Sequence, residues 1–193
     1  LDLLGFGRAD GRNIVECNAR NAQHKPVPKD AAERTLERLN QLQDSKGGIY
    51  SQSRAGDSRA TMQQRAGVFR TQASMDEGVA KVAALRERVG GVELKDKSMV
   101  FNTARIEALE VDNLIEVAQA TMVSAAARRE CRGAHMVDDY EHPADHPTAA
   151  LGRDDVNWLK HTLWHSANNS LTYKPVTLKP LTVDSVPPKV RTF

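Results

Sequence analysis

The stretch that most limits what this chain can fold into is residues 101–135, which carries the longest helical pattern and ends in an uncommon tetrapeptide, Arg132-Gly133-Ala134-His135. Asn102 or Thr103 can cap its start. Apolar side chains at Ile106, Leu109, Leu114, Ala118, Met122 and Ala125 recur mostly at three- and four-residue spacing, which predicts one buried helical face, widened by Val111 and Ile115. Arg105, Glu107, Glu110, Asp112 and Glu116 stand between them and suit water, so the first half reads as a helix packed along one side. No residue from 117 to 127 is charged and many are Ala, Ser or Thr, which predicts cover on several sides by close backbones. Arg128, Arg129 and Arg132 then fall where cations favour the negative end of a helix dipole, and Gly133 supplies a stop.

A helix of this length needs helical neighbours, and the preceding residues supply them. Residues 21–29, with Pro26 and Pro28, read as a linker leading to an N-cap at Asp30. Leu36, Leu39 and Leu42 give a short amphipathic helix over 31–43, ended by Gly47-Gly48. A second helix is predicted over 57–72 with Met62, Ala66 and Phe69 along one side. A third opens with a capping box at Ser74 and Glu77, buries Val79, Val82, Leu85 and Val89, and closes at Gly90-Gly91. At the start, Leu3, Phe6, Asp10, Ile14 and Cys17 share one helical face, while three glycines weaken the helix and predict close packing on some other surface.

After His135 the pattern changes. Residues 136–155 read as loop. From Val156 onward Trp158, Leu163, Trp164 and the pairs Leu171/Tyr173, Val176/Leu178 and Leu181/Val183 predict short extended pieces. Pro175 and Pro180 confine any strand to an edge or a bulge, and Pro187-Pro188 opens a polyproline-like tail. The predicted class is mainly α: an antiparallel, spectrin-repeat-like bundle of three to four helices, followed by a loop-rich tail with short β strands. Its expected divisions are 1–29, 30–135 and 136–193.

Composition narrows the function. A chain of 193 residues holds one domain with a core, or a small domain plus a tail. A net charge of +2 with 27% charged residues makes no field of the kind that recruits nucleic acid. An aromatic content of 5% argues against a β-sandwich or a base-stacking surface. Cys17 and Cys131 have neither CxxC spacing nor a framework, which points to a reducing compartment. No apolar run approaches the ~20 residues of a membrane span and no signal-peptide pattern opens the chain, so membrane association is expected only through partners. Opening without Met and in mid-helix pattern, the sequence reads as a fragment.

Few residues invite chemistry. His161 and His165 are four apart, a metal spacing on a helix, but Thr-Leu-Trp between them holds no acid and the segment looks extended, so they read as two polar positions on one strand face. His142-Pro143 and His146-Pro147-Thr148 read as a solvated proline loop. Arg132 and His135 offer a guanidinium fork and an imidazole that would suit a carboxylate substrate. Against this stands a structural reading in which Arg132 ties the helix end to a neighbouring acid and His135 bonds backbone across a domain interface, and this second reading is preferred. Gly5 and Gly7 follow no strand and continue into no GxGxxG. No catalytic, cofactor-binding or metal residue is assigned.

The run FNTARIEALEVDNLIEVAQATMVSA, followed by CRGAH, resembles the C-terminal helical region of the flavoprotein subunit of succinate dehydrogenase and fumarate reductase. LDLLGFGRADG, VFRT, LRERV, DDVNWLKHTL and PPKVRTF stand in the order that family shows. The resemblance implies a parent subunit that oxidises succinate to fumarate, passing a hydride to covalently held FAD and electrons to an iron-sulfur subunit and quinone. It implies that residues 1–29 end a helix of the flavin-binding domain, with Leu1 and Asp2 beside the flavin site. Residues 30–135 and 136–193 would then scaffold that domain and its subunit contacts. FAD belongs to the parent, with none expected on this chain alone, which is expected to be inactive. Expected partners are the flavin-binding domain of the same subunit and the iron-sulfur subunit, with the membrane reached only through anchor subunits and no nucleic acid. The implied location is peripheral, on the cytoplasmic face of a bacterial inner membrane or the mitochondrial matrix side. A His-Pro-Thr stretch occurs at the family's active site, but at 146–148 it sits in the wrong place and its role is not carried over. Cys131 replaces a common Ser, Met136 and Val137 stand where an Arg often follows, and residues 141–153 have no clear counterpart and read as a surface insertion. L-aspartate oxidase remains a relative, though PPKVRTF speaks for the respiratory enzymes. The alternative is a free-standing helical interaction module without catalysis.

Overall fold

The computed structural model describes residues 2–20, 26–46, 49–88, 92–140, 152–179, 182 and 184–186, and the chain divides into two compact units, 1–40 and 41–193. In the first, α1 (Asp2–Arg20) runs unbroken through its glycines. Its apolar side chains stand in the open, Leu3 92% exposed and Phe6 71%, and Gly5, Gly7 and Gly11 meet no atom within 4 Å. The close packing expected of those glycines is not found in this unit. Helix α2 (Glu33–Asp44) begins three residues after the expected cap at Asp30 and buries no residue fully, leaving Leu36 exposed and Leu39 and Leu42 partly covered.

The second unit is built on α3 (Ser51–Arg65), α4 (Gln72–Glu87) and α5 (Thr103–Ala127). Three apolar layers climb α5: Ala55, Leu85, Val111 and Ile115; then Val82, Ala118 and Met122 with Met62, Ala66 and Val79; then Met75, Ala126, Cys131 and Val137. Residue numbers rise together on α3 and α5 and fall on α4, so α4 is antiparallel to both. Two-residue strands β1 (Ile49–Tyr50) and β2 (Val92–Glu93) pair in parallel beside the first layer. At the middle layer α4 presents Gly78. A Cβ there would lie 2.7 Å from Met122 Sδ and Cε and 2.8 Å from the Cβ of Arg65, so the missing side chain is what lets the three helices meet.

Within this expected architecture several local readings change. The buried face of α5 is Ala108, Val111, Ile115, Ala118, Met122 and Ala126, while Ile106 is 55% exposed and Leu109, Leu114 and Ala125 are only partly covered. Two flanking helices select the stripe with small residues, because small residues permit close backbones. Helix α3 ends at Arg65, and Phe69 lies beyond it, 82% exposed. Helix α4 starts earlier than a Ser74 box would place it: Thr71 is the cap, its hydroxyl accepting from Ser74 N at 3.1 Å, and Glu77 instead pairs with Arg65 on α3 at 2.8 Å. Val89 and the glycine pairs at 47–48 and 90–91 lie outside the described residues.

Asn102 caps α5, accepting from Arg105 N at 2.9 Å while its amide donates to Asp96 O and Ser98 O. Arg105, read as a solvated position, is buried: its Nη2 donates to Lys97 O and Ser98 O, both at 3.0 Å, and to Gln43 Oε1. Lys97 Nζ donates to Gln43 O and Ser45 O. Lys97, Ser98 and Arg105 therefore form a hydrogen-bonded tie between Gln43 and Ser45 and the start of α5.

Helix α5 stops at Ala127, six residues before Gly133, because Arg128 turns extended and sends its side chain toward the tail. The tail holds a 3-10 turn at Asp138–Tyr140, α6 (Asp155–Trp158), and a hairpin of β3 (Lys160–His165) and β4 (Ser170–Pro175), registered from Lys160 opposite Pro175 to His165 opposite Ser170. Trp158, expected in an extended piece, closes α6, since Asp154 accepts from Val156 N and Asn157 N and starts a helical turn. Leu171 and Tyr173 fall in β4, but Val176 and Leu178 follow it without forming a strand. Pro180, Leu181, Val183, Pro187 and Pro188 lie outside the described residues.

Candidate functional site

The end of α5 reads Arg128-Arg129-Glu130-Cys131-Arg132, an acid among arginines, and the structure makes that acid a centre. Glu130 is fully buried. Its Oε1 accepts from Arg128 Nη1 at 2.5 Å and Arg132 Nε at 2.8 Å, and its Oε2 from Arg132 Nη2 at 3.0 Å and Asp154 N at 2.9 Å. A carboxylate removed from water is tolerated only when it is paired and fully hydrogen-bonded, and four donors meet both conditions here. Arg132 reaches on to Asp155 at 2.6 Å, and Asp155 also holds Arg153 at 2.9 Å. Hydrogen bonding to Glu130 raises the Arg132 pKa, and hydrogen bonding from Arg132 lowers that of Asp155.

Arg128 carries the connection to the hairpin. Its Nη1 also donates to Trp158 O at 2.9 Å, and its Nη2 donates to Lys160 O at 2.6 Å and Thr162 Oγ1 at 3.1 Å. Its guanidinium lies 5.3 Å from the Trp158 ring centre, while Lys160 Nζ lies 4.6 Å from Trp158 and 4.2 Å from Tyr173. A two-stranded hairpin is marginal in water by itself, and this attachment gives β3 and β4 a support. Below it, Cys131 N donates to Gly152 O at 2.8 Å. Gly152, at φ +74°, leaves a hypothetical Cβ 2.0 Å from Tyr140 O, so no larger residue fits where these two segments cross.

Arg132 and His135 exchange both backbone hydrogen bonds around Gly133, at 2.8 and 3.0 Å. The His135 ring stands between Arg128 O, 3.0 Å from Nε2, and Arg70 Nη1, 2.9 Å from Nδ1. A guanidinium only donates and a carbonyl only accepts, so these partners assign the proton to Nε2 and the lone pair to Nδ1, a neutral imidazole. Burial lowers the His135 pKa, the charges of Arg70 and Arg128 act in the same direction, and the bond to Arg128 O opposes them. With the folded pKa below the ~6.5 of an unfolded chain, the unfolded chain holds more protons between those values. Stability should therefore fall as pH drops through about 6.5 and level off once the native ring is protonated. Urea unfolding at three pH values spanning that window should show this slope in the wild type and its loss in His135→Gln. An unchanged slope in the variant would place the proton elsewhere.

A cleft of about 610 Å³ opens between the end of α5 and the hairpin, lined among others by Arg70, Arg128, Arg132, His135, Lys160 and Thr162. A larger hollow of about 800 Å³ beside α3 and α5 is lined by Ala55, Val111, Leu114 and Val117, with Arg59, Glu107 and Glu110 its ionisable groups. The convergent donors belong to the smaller one. Of the residues singled out in the sequence, Arg132 and His135 come together here, with the Arg132 fork committed to Glu130 and Asp155. His161 lines the same cleft, and His165 bonds Thr172 Oγ1 at 2.8 Å; both lie on the exposed face of β3. Among the described residues no group of three or more His, Cys, Asp or Glu could hold a metal ion. Leu1, His142 and His146 lie outside the described residues. Glu130, Arg70 and the reach of Arg128 were not read from the sequence, although an acid set among three arginines was the available signal.

A three-helix bundle closed by a buried arginine–glutamate cluster and followed by a β-hairpin is a helical domain with a strand tail. Comparisons with known proteins place it. The family described as fumarate reductase flavoprotein C-term matches residues 57–193. The succinate dehydrogenase flavoprotein subunit of Coxiella burnetii is 38% identical over 191 residues, covering 99% of this chain and 31% of that protein. The mitochondrial succinate dehydrogenase (ubiquinone) flavoprotein subunit of Oryza sativa is 34% identical over 197 residues, covering all of this chain and 30% of that protein. The FrdA chain of E. coli quinol fumarate reductase superposes with a TM-score of 0.70 at 29% identity, covering 89% of this chain and 29% of its own. This chain belongs to the fumarate reductase flavoprotein C-terminal family, and it spans about a third of the length of the curated relatives it matches.

Proposed function

We propose that this chain is the C-terminal scaffold of a succinate dehydrogenase flavoprotein subunit, whose whole oxidises succinate to fumarate with FAD and passes electrons to an iron-sulfur subunit and quinone. The observation that carries this reading is that residues 57–193 match the flavoprotein C-terminal family and nearly the full chain aligns with only about a third of a flavoprotein subunit, while its most reactive-looking turn is committed internally. Among the described residues β1 passes straight into α3 without a glycine-rich turn of the kind that receives a dinucleotide phosphate, which supports placing the flavin elsewhere. The flavin and the hydride step are accordingly assigned to the remainder of the parent. In this chain, Glu130 and Arg128 hold the tail hairpin to the bundle, and residues 30–135 and 136–193 act as brace and strap for the flavin-binding domain. The exposed apolar side chains of α1 suit burial against that domain, with residues 1–29 forming its last helix and linker.

The iron-sulfur subunit is the expected partner of the same assembly. No helix among the described residues is long and apolar enough to cross a membrane, and membrane association through anchor subunits, on the cytoplasmic or matrix side, completes the proposal. The purified chain should show neither flavin absorption nor succinate-dependent dye reduction, while a parent subunit truncated before residue 41 should lose dehydrogenase assembly. Stoichiometric flavin on the isolated chain, or full activity of the truncated parent, would overturn the scaffold assignment.

A further inference from the structure

The chain as a whole is almost neutral, yet the cleft beside the hairpin gathers Arg70, Arg128, Arg132, Lys160 and two histidines, and among the described residues no acid lines it. Arg128 and Arg132 are neutralised by Glu130 and Asp155. Arg70 is not: its Nε donates to Gly67 O at 2.7 Å, its Nη1 to the uncharged ring of His135, and among the described residues no carboxylate pairs with it. Burial alone lowers its pKa, which is the mark of a partly desolvated cation lacking a counter-charge. The Lys160 ammonium meets aromatic faces, with no acid paired to it among the described residues. Trp158, Leu159, Ala125 and Val176 give the same cleft apolar walls.

We propose that this cleft binds a carboxylate carried on a short carbon stem, with Arg70 as its principal cation and Lys160 as the second. A guanidinium held in fixed orientation matches a carboxylate better than an ammonium does, and the apolar walls suit the stem. His135 is a positioning residue: its lone pair fixes Nη1 and leaves Nη2 of Arg70 available. The carboxylate has two possible sources, a free dicarboxylate or an Asp or Glu side chain of a docking protein segment.

The test titrates the full 193-residue chain with sodium fumarate, with a capped tetrapeptide of alternating Asp and Leu, and with sodium sulfate, following the Arg70 Nε–H and Trp158 Nε1–H resonances. Saturable shifts with fumarate identify a small-molecule site, and shifts with the peptide a docking site; either supports the proposal. Arg70→Gln should weaken binding by roughly tenfold or more, and Arg70→Lys should recover part of it. Should Arg70→Gln fail to fold, Lys160→Gln serves in its place with a severalfold loss expected. The proposal is overturned if neither carboxylate saturates, if sulfate binds as tightly, or if the variant that folds binds like the wild type.

Discussion

Replacing Glu130 by alanine should lower the unfolding free energy by about 3–5 kcal/mol, the usual consequence of removing one member of a buried ion cluster. The carboxylate is fully buried and receives four hydrogen bonds, two from Arg132, one from Arg128 and one from the backbone of Asp154. Its loss leaves the Arg128 and Arg132 guanidinium groups without the carboxylate they share. The hairpin hangs from Arg128, so tryptophan fluorescence from β3 should change before helical circular dichroism does. Asp155→Asn removes a pair at the edge of the same cluster, where the side chain is 36% exposed and solvent screens it. That variant should cost under about 1 kcal/mol. Urea unfolding of the two variants side by side decides the matter, and equal losses would mean that Glu130 is not the centre described here.

The second large effect lies at the middle of the bundle. Met122 is fully buried, and Met122→Ala should cost about 2–5 kcal/mol through lost transfer energy and the cavity left behind. Gly78 sits directly against its sulfur. In the wild type, Gly78→Ala gains about 1 kcal/mol of helix propensity, but its methyl lands 2.7 Å from Met122 Sδ and 2.8 Å from Arg65 Cβ, and overpacking of about 1–3 kcal/mol outweighs the gain. In the Met122→Ala background the clash with the sulfur is gone and only the one with Arg65 Cβ remains, so the same change should cost clearly less than in the wild type. The two substitutions should therefore couple by about 1–2 kcal/mol, as neighbours in contact do. Strict additivity in the double-mutant cycle would show that α3, α4 and α5 do not meet at this point.

These two sites also show why the tail belongs with the bundle. Hydrophobic layers hold α3, α4 and α5 together from Ala55 to Ala126, but the hairpin contributes no residue to them. It is retained by guanidinium groups of the bundle, Arg128 through Lys160 O, Thr162 Oγ1 and the neighbouring Trp158, and Arg86 of α4 at 5.9 Å from the Trp164 ring centre. Salt should therefore weaken the hairpin's attachment more than it weakens the helices.

Much of this protein was written locally. Periodicity placed α2, α4 and α5, the cap of α5 was narrowed to Asn102 or Thr103, the Leu171/Tyr173 alternation marked β4, and the quoted motifs led to the family. The inward face of α5 was not legible, because three- and four-residue spacing gives the width of an apolar stripe and not its direction. Ala108 and Ala126 won over Ile106 because two other helices had to come close. Arg105 looked solvated until carbonyls from residues 97 and 98 and the side chain of Gln43 surrounded it. The neutral state of His135 depends on Arg70, 65 residues away, and the burial of Glu130 on Asp154, 24 residues away. Backbone propensity acts between neighbours in the chain and can be read along it. Burial, counter-charge and close approach act between groups that only folding brings together, and these decided where the charges of this protein lie.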